Sequence, residues 1–131
     1  MQFKPVVFIA SPYSKGDPAM NAHFQCVVFD RLLSDGIVLP VAPLWSHFQH
    51  MVLPRPYEDW IEYDQAMLSR YDACLRLDAV IEQLGYRESR SKGADNEAET
   101  FLRLGKPVFF DIETLYDWAV QNSKSKCNIN D

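Results

Sequence analysis

Blocks of apolar and polar positions follow one another along the chain with two different periods. Pro5 to Ala10 is a continuous β-branched and aromatic run that stops at Ser11-Pro12, the pattern of a buried strand leaving a sheet into a loop. Asp17-Pro18 supplies an N-cap with proline at the first helical position. Phe24, Val27, Val28, Arg31 and Leu32 then recur at helical spacing up to a stop at Asp35-Gly36. Ile37 to Val41 predicts a second strand. Ala42 to Pro56, rich in Pro, His and aromatics, predicts a loop, and its length marks it as a functional one.

The stretch from Tyr57 to Tyr71 predicts a helix with Trp60, Ile61, Asp64, Met67 and Leu68 on one face, which sets a carboxylate among inward-packing residues. Beyond it come a strand over Ala73 to Leu77, a helix over Ala94 to Leu104 closed by Gly105, a strand over Pro107 to Asp111 and a last helix around Glu113 to Gln121. The order βαβαβαβα predicts an α/β fold of Rossmann or flavodoxin type. Its sheet is mainly parallel with four to five strands, right-handed crossovers and helices on both faces, and its ligand site lies beyond the carboxyl ends of the strands. One domain is expected over residues 1–122, and the polar residues 123–131 read as a flexible tail.

Composition narrows the class of partner. The 131 residues suffice for one core, and no apolar run approaches the ~20 residues of a membrane-spanning helix, so no membrane partner is expected. The N-terminal residues lead straight into the first strand without the apolar stretch and cleavage pattern of a secretory signal, so the expected compartment is the cytoplasm. Cys26, Cys74 and Cys127 have neither paired nor zinc-ligand spacing and read as reduced thiols. No set of carboxylates and histidines has metal-ligand spacing, and no cofactor is expected. A net charge of −5 opposes binding to long nucleic acids, whereas a single nucleotide phosphate needs only a few N–H groups at a helix start.

Three candidate groups fall where the fold rule puts a site: Ser11 to Ser14 after the first strand, Asp64 on the second predicted helix, and Ser91-Lys92-Gly93 leading to Glu97 after the third strand. Taken singly, each has a plain structural reading. Glu97 and Glu99 suit the first turn of a helix, Asp64 a helix surface, Tyr13 a turn, and Ser91 a helix cap. Taken in order, Phe8-Ile9-Ala10-Ser11-Pro12-Tyr13, Asp64 with Asp72-Ala73 eight residues on, and Ser91-x-Gly93-x-x-x-Glu97 with Gly105-Lys106-Pro107-Val108 make a spaced set. On those motifs the chain resembles the nucleoside 2-deoxyribosyltransferase superfamily, which includes N-glycosidases of nucleoside 5′-monophosphates, over residues 5 to 118.

The resemblance implies that Glu97 attacks the anomeric carbon to give a glycosyl-enzyme intermediate, that Asp64 protonates or hydrogen-bonds the departing base, and that Tyr13 orients Glu97. Near a helix start, Glu97 is expected to stay ionised, while Asp64 on a partly apolar face is expected to have its pKa raised. Position 91 is acidic in transferases acting on free nucleosides and serine in monophosphate hydrolases. Ser91 therefore points to a phosphate, assisted by Gly93, Ser11, Ser14, Lys15 and Gly16. Trp45, His47 and Phe48 fall where the resemblance puts residues shaping the base pocket, and a homodimer is implied because relatives complete their sites with a neighbouring subunit. A base-exchanging transferase and a non-catalytic nucleotide sensor on the same fold are the alternatives.

Overall fold

The computed structural model of the protein describes residues 3–10, 18–77 and 92–129. Their strands are β1 (Val6–Ala10), β2 (Leu39–Val41), β3 (Ala73–Arg76) and β4 (Val108–Phe109). The helices are α1 (Pro18–Asp35), α2 (Leu44–Val52), α3 (Tyr57–Leu68), α4 (Lys92–Arg103) and α5 (Ile112–Ile129). The strands form one parallel sheet in the order β2-β1-β3-β4, with Val7 opposite Pro40 and Ala73, Ala10 opposite Arg76, and Leu75 opposite Phe109. This is the α/β architecture that the alternation of elements predicts.

Strand alternation divides the core in two, because successive side chains leave a strand on opposite faces. Val7 and Ile9 of β1 and Ala73 and Leu75 of β3 face Val28 and Leu32 of α1 and Leu115 and Ala119 of α5. Phe8, Ala10 and Cys74 face the other way, against Leu68 at the end of α3 and Ala98 and Phe101 of α4. Phe8 stacks between Tyr71 and Phe101, with ring centroids 5.6 Å and 6.1 Å away. α1 buries a stripe displaced from the one its periodicity predicts: Phe24, Gln25, Val28 and Leu32 are buried and Phe29 packs against the core, whereas Val27 is exposed.

Two connections are locked by polar groups and a third turns on a glycine. The Asp72 carboxylate accepts from the Val6 N–H at 2.8 Å while the Asp72 N–H donates to the Val6 carbonyl, joining the entry of β3 to the start of β1. Lys106 Nζ donates to the carbonyls of Ser69 and Tyr71, both at 2.6 Å, satisfying carbonyl groups just past the end of α3. Gly105, at φ +73°, closes α4 in the left-handed conformation that its lack of a Cβ permits.

Two segments differ from the sequence expectation. Ala42 to Pro56 is not a loop, since α2 occupies its centre. The prolines that read as breakers stand outside the helix, Pro43 at its N-cap and Pro54 and Pro56 beyond its end, where a missing N–H costs nothing. α5 runs on to Ile129, past the Gln121 end that the polar composition predicts, so helix covers most of the residues read as a tail. Among the described residues no helix is long and apolar enough to cross a membrane.

Candidate functional site

The helices that follow β1 and β3, α1 and α4, cover opposite faces of this parallel sheet, which makes the carboxyl ends of these two neighbouring strands the switch point where such a fold puts its ligand. Arg76, the last residue of β3, lies opposite Ala10, the last of β1. It has the same strand parity as Cys74 and so belongs to the face covered by α3 and α4. The charges of Arg76 and of Asp64 on α3 both act on Glu97 of α4.

The register of the two helices brings the carboxyl groups together. The buried Thr100 places its hydroxyl 2.9 Å from the Asn96 carbonyl and 3.3 Å from Gln65 Oε1, and Arg103 donates to it at 3.1 Å. Gln65 follows Asp64, and Thr100 lies one turn after Glu97, so this tie holds the two carboxyl-bearing turns side by side. The α3–α4 contact is thus a polar seam above the aromatic stack of Phe8, Tyr71 and Phe101.

Electrostatically the cluster is a pair of carboxyl groups with one buried cation. Burial, then the repulsion of Asp64, pushes the Glu97 carboxyl up to about 8, and the Arg76 guanidinium opposes the rise. Half-buried Asp64 is raised by desolvation, in the direction its inward-facing position predicts. The Cys74 thiol is pushed up to about 12 by burial and by Glu97, so it stays neutral.

The expectation that Glu97 stays ionised is therefore corrected: near neutral pH it holds its proton most of the time. The reason is that desolvation, joined by the repulsion of Asp64, outweighs the opposing charge of Arg76.

The remaining predicted site residues divide by location. Gly93 lies in the first turn of α4. Ser11, Tyr13, Ser14, Lys15, Gly16 and Ser91 lie outside the described residues, and so does the side chain of His47. Trp45 and Phe48 stand on α2, their rings 5.9 Å apart and largely exposed. Trp45 joins Ser46, Gln49, Arg55, Asp59, Trp60 and Tyr63 around an open cleft of about 330 Å³ between α2 and α3. Neither Glu97 nor Asp64 lines that cleft, but Trp60 stands one turn before Asp64 on α3. His50 fixes the cleft wall: its Nδ1 accepts from Trp60 Nε1 at 2.8 Å and from the Arg55 N–H at 3.2 Å.

Sequence reasoning missed Arg76. A lone arginine inside a predicted strand reads as an edge or solvent residue, since charged side chains are seldom fully buried without a partner. The available signal was positional: Arg76 ends the third strand, where this class of sheet puts its ligand site. No family model, no curated protein and no solved structure matches the chain. Fold and site together define its class, an α/β protein with an all-parallel sheet and a partly buried pair of carboxyl groups near the switch point.

Proposed function

We propose that the protein is an N-glycosidase that cleaves the base–sugar bond of a nucleoside 5′-monophosphate through a covalent intermediate on Glu97. The observation that carries this reading is the Glu97–Asp64 pair, two carboxyl groups from different helices held at the carboxyl ends of β1 and β3. Breaking an N-glycosidic bond builds positive charge at the anomeric carbon and negative charge on the base, so one carboxylate and one carboxylic acid serve both ends.

In the first step a Glu97 oxygen attacks the anomeric carbon. The electrons of the carbon–nitrogen bond leave on the base, which takes the proton of Asp64. In the second step water attacks the same carbon, its proton passes to Asp64, and the bond pair returns to Glu97. The sum is substrate plus water giving free base and sugar phosphate. Glu97 attacks as the anion, so the reacting arrangement keeps one proton in the pair, on Asp64.

Support for the base subsite comes from the cleft beside Trp60, where Trp45 and Tyr63 offer aromatic surface and Gln49, Arg55 and Asp59 offer hydrogen-bonding groups. The phosphate assignment rests on Ser91 and the resemblance alone. A homodimer is part of the proposal, and the exposed Trp45, Met51, Val52, Leu53 and Tyr57 support it as an apolar surface of the kind that subunits cover.

The test is incubation with a panel of nucleosides and their mono-, di- and triphosphates, followed by chromatography for free base. Release of base from monophosphates with higher kcat/KM than from the matching nucleosides supports the reading. A new nucleoside formed when a second free base is added identifies a transferase. Tight binding with no base released over hours identifies a sensor.

A further inference from the structure

The cleft between α2 and α3, about 330 Å³, lies at the lower end of the range for ligand sites, which suits one planar ring system and not a whole nucleotide. Its walls are aromatic and its edge is charged. Trp45, Trp60 and Tyr63 supply the rings, and Trp60 and Tyr63 stand edge to face with centroids 6.0 Å apart. Arg55 and Asp59 supply the charge, with Arg55 Nε 3.3 Å from Asp59 Oδ2.

A single acceptor fixes both parts. His50 Nδ1 takes the Trp60 indole N–H at 2.8 Å and the Arg55 backbone N–H at 3.2 Å, so the ring wall and the backbone that carries the guanidinium are held to the same atom. With its N–H used, Trp60 presents only its ring to a ligand. The ion pair is another matter. Its side chains are 61% and 44% exposed, and so open a pair contributes little to stability. Among the described residues no contact occupies Asp59 Oδ1 or the two terminal nitrogens of Arg55. A two-pronged donor thus stands beside a carboxylate with acceptor capacity to spare.

We propose that this cleft binds guanine, stacked on the indole rings, with Arg55 donating to O6 and N7 and Asp59 accepting from N1–H and the 2-amino group. Of the common bases, guanine alone sets two adjacent N–H donors next to two adjacent acceptors, and a bidentate arginine on O6 and N7 is a favoured contact of that base. Adenine and cytosine bring one amino group to the carboxylate, and uracil brings one N–H between two carbonyl groups. That the guanine is the leaving base of a nucleotide cleaved at Glu97 rests on the function proposed above, whereas its binding does not.

An indole ¹H–¹⁵N NMR titration reads both affinity and place, because the chain has three tryptophans and the third, Trp118, packs beside Phe109 and outside the cleft. Glu97→Gln protein, in which no substrate is consumed, is titrated with the 5′-monophosphates of guanosine, inosine, adenosine, cytidine and uridine. These share one sugar phosphate, so differences among them report the base. The guanosine monophosphate moves the Trp45 and Trp60 signals, leaves Trp118 in place and binds at least about tenfold more tightly than the adenosine, cytidine and uridine compounds. Inosine monophosphate, without the 2-amino group, falls between. Asp59→Asn narrows the gap between guanosine and adenosine monophosphates to about threefold or less. Trp45→Ala weakens every base by about tenfold, since stacking takes no account of the edge.

If Glu97→Gln does not fold, the native protein titrated with 9-methylguanine and 9-methyladenine decides, because neither has a glycosidic bond. Absence of guanine binding, equal or tighter binding of another base, Trp45 and Trp60 signals that stay still, or an Asp59→Asn variant that loses affinity for all bases alike overturns the proposal. Guanine-selective binding in a protein that releases no base from any nucleotide upholds it and sinks only the glycosidase reading. Faster release of another base than of guanine sinks the guanine assignment and leaves the glycosidase reading standing.

Discussion

At the scale of single residues the decisive contrast is between Glu97 and Glu99. Glu97 is enclosed beside Asp64 and Arg76, while Glu99, about 200° further round α4, is exposed. Glu97→Gln is expected to keep the fold and to reduce base release by several orders of magnitude, because an amide is not an attacking anion. Glu99→Gln is expected to leave turnover within about twofold, a difference that steady-state kinetics on the two purified variants checks. The pH dependence follows from the same pair. At low pH both carboxyl groups hold protons and no nucleophile exists, so kcat/KM rises as the first proton leaves. Near 8 the last proton leaves, and with it the acid for the departing base. A substrate with a poor leaving base therefore gives a bell with its falling limb near 8. One with an activated leaving base keeps rising through that range as Glu97 ionises fully, so identical profiles for the two substrates would exclude Asp64 as the proton donor.

Elements matter here through their register. α3 and α4 meet at the Thr100–Gln65 contact, and the same turns carry Glu97 and Asp64. Thr100→Val preserves the shape of the buried side chain but removes the hydroxyl. The expected cost is about 0.5–1.5 kcal/mol of stability, measured by urea denaturation, with a fall in kcat that exceeds any change in KM. A KM effect alone would place the role of this seam in binding. The His50–Trp60 bond plays the matching part between α2 and α3 and shapes the aromatic cleft and not the carboxyl pair.

On the scale of the whole molecule, an enclosed carboxyl group with a raised pKa makes folding depend on pH. In the unfolded chain Glu97 titrates near 4.5, and in the folded protein near 8, so between these values the folded state holds the extra proton. Stability from this group is complete below about 4.5 and is lost as pH rises through 8, with a slope of up to about 1.4 kcal/mol per pH unit. Chemical denaturation at pH 5 to 9 is therefore expected to give a declining stability for the native protein. A flatter profile is expected for Glu97→Gln, which no longer gains a charge on leaving acid conditions. Equal slopes in the two proteins would mean that Glu97 is not enclosed in solution.

Much of this was legible in the residues themselves. The alternation of apolar runs with helical stripes specified a parallel α/β sheet, since each pattern buries its apolar surface in only one kind of element, and Gly36 and Gly105 marked helix ends because they alone accept a positive φ at no steric cost. Glu97 and Asp64 were singled out by the resemblance that their motifs carry. Three things were decided only by the tertiary structure. α2 is tied to α3 by the His50–Trp60 hydrogen bond, a contact between elements, whereas local composition with its flanking prolines read as a loop. The protonation of Glu97 is set by neighbours from other elements, Asp64 on α3 and Arg76 on β3, and no sequence distance reports that proximity. Arg76 became a candidate only once β3 had a place beside β1, because burial and counter-charge are properties of the assembled sheet and its covering helices and not of the tetrapeptide Ala73–Arg76.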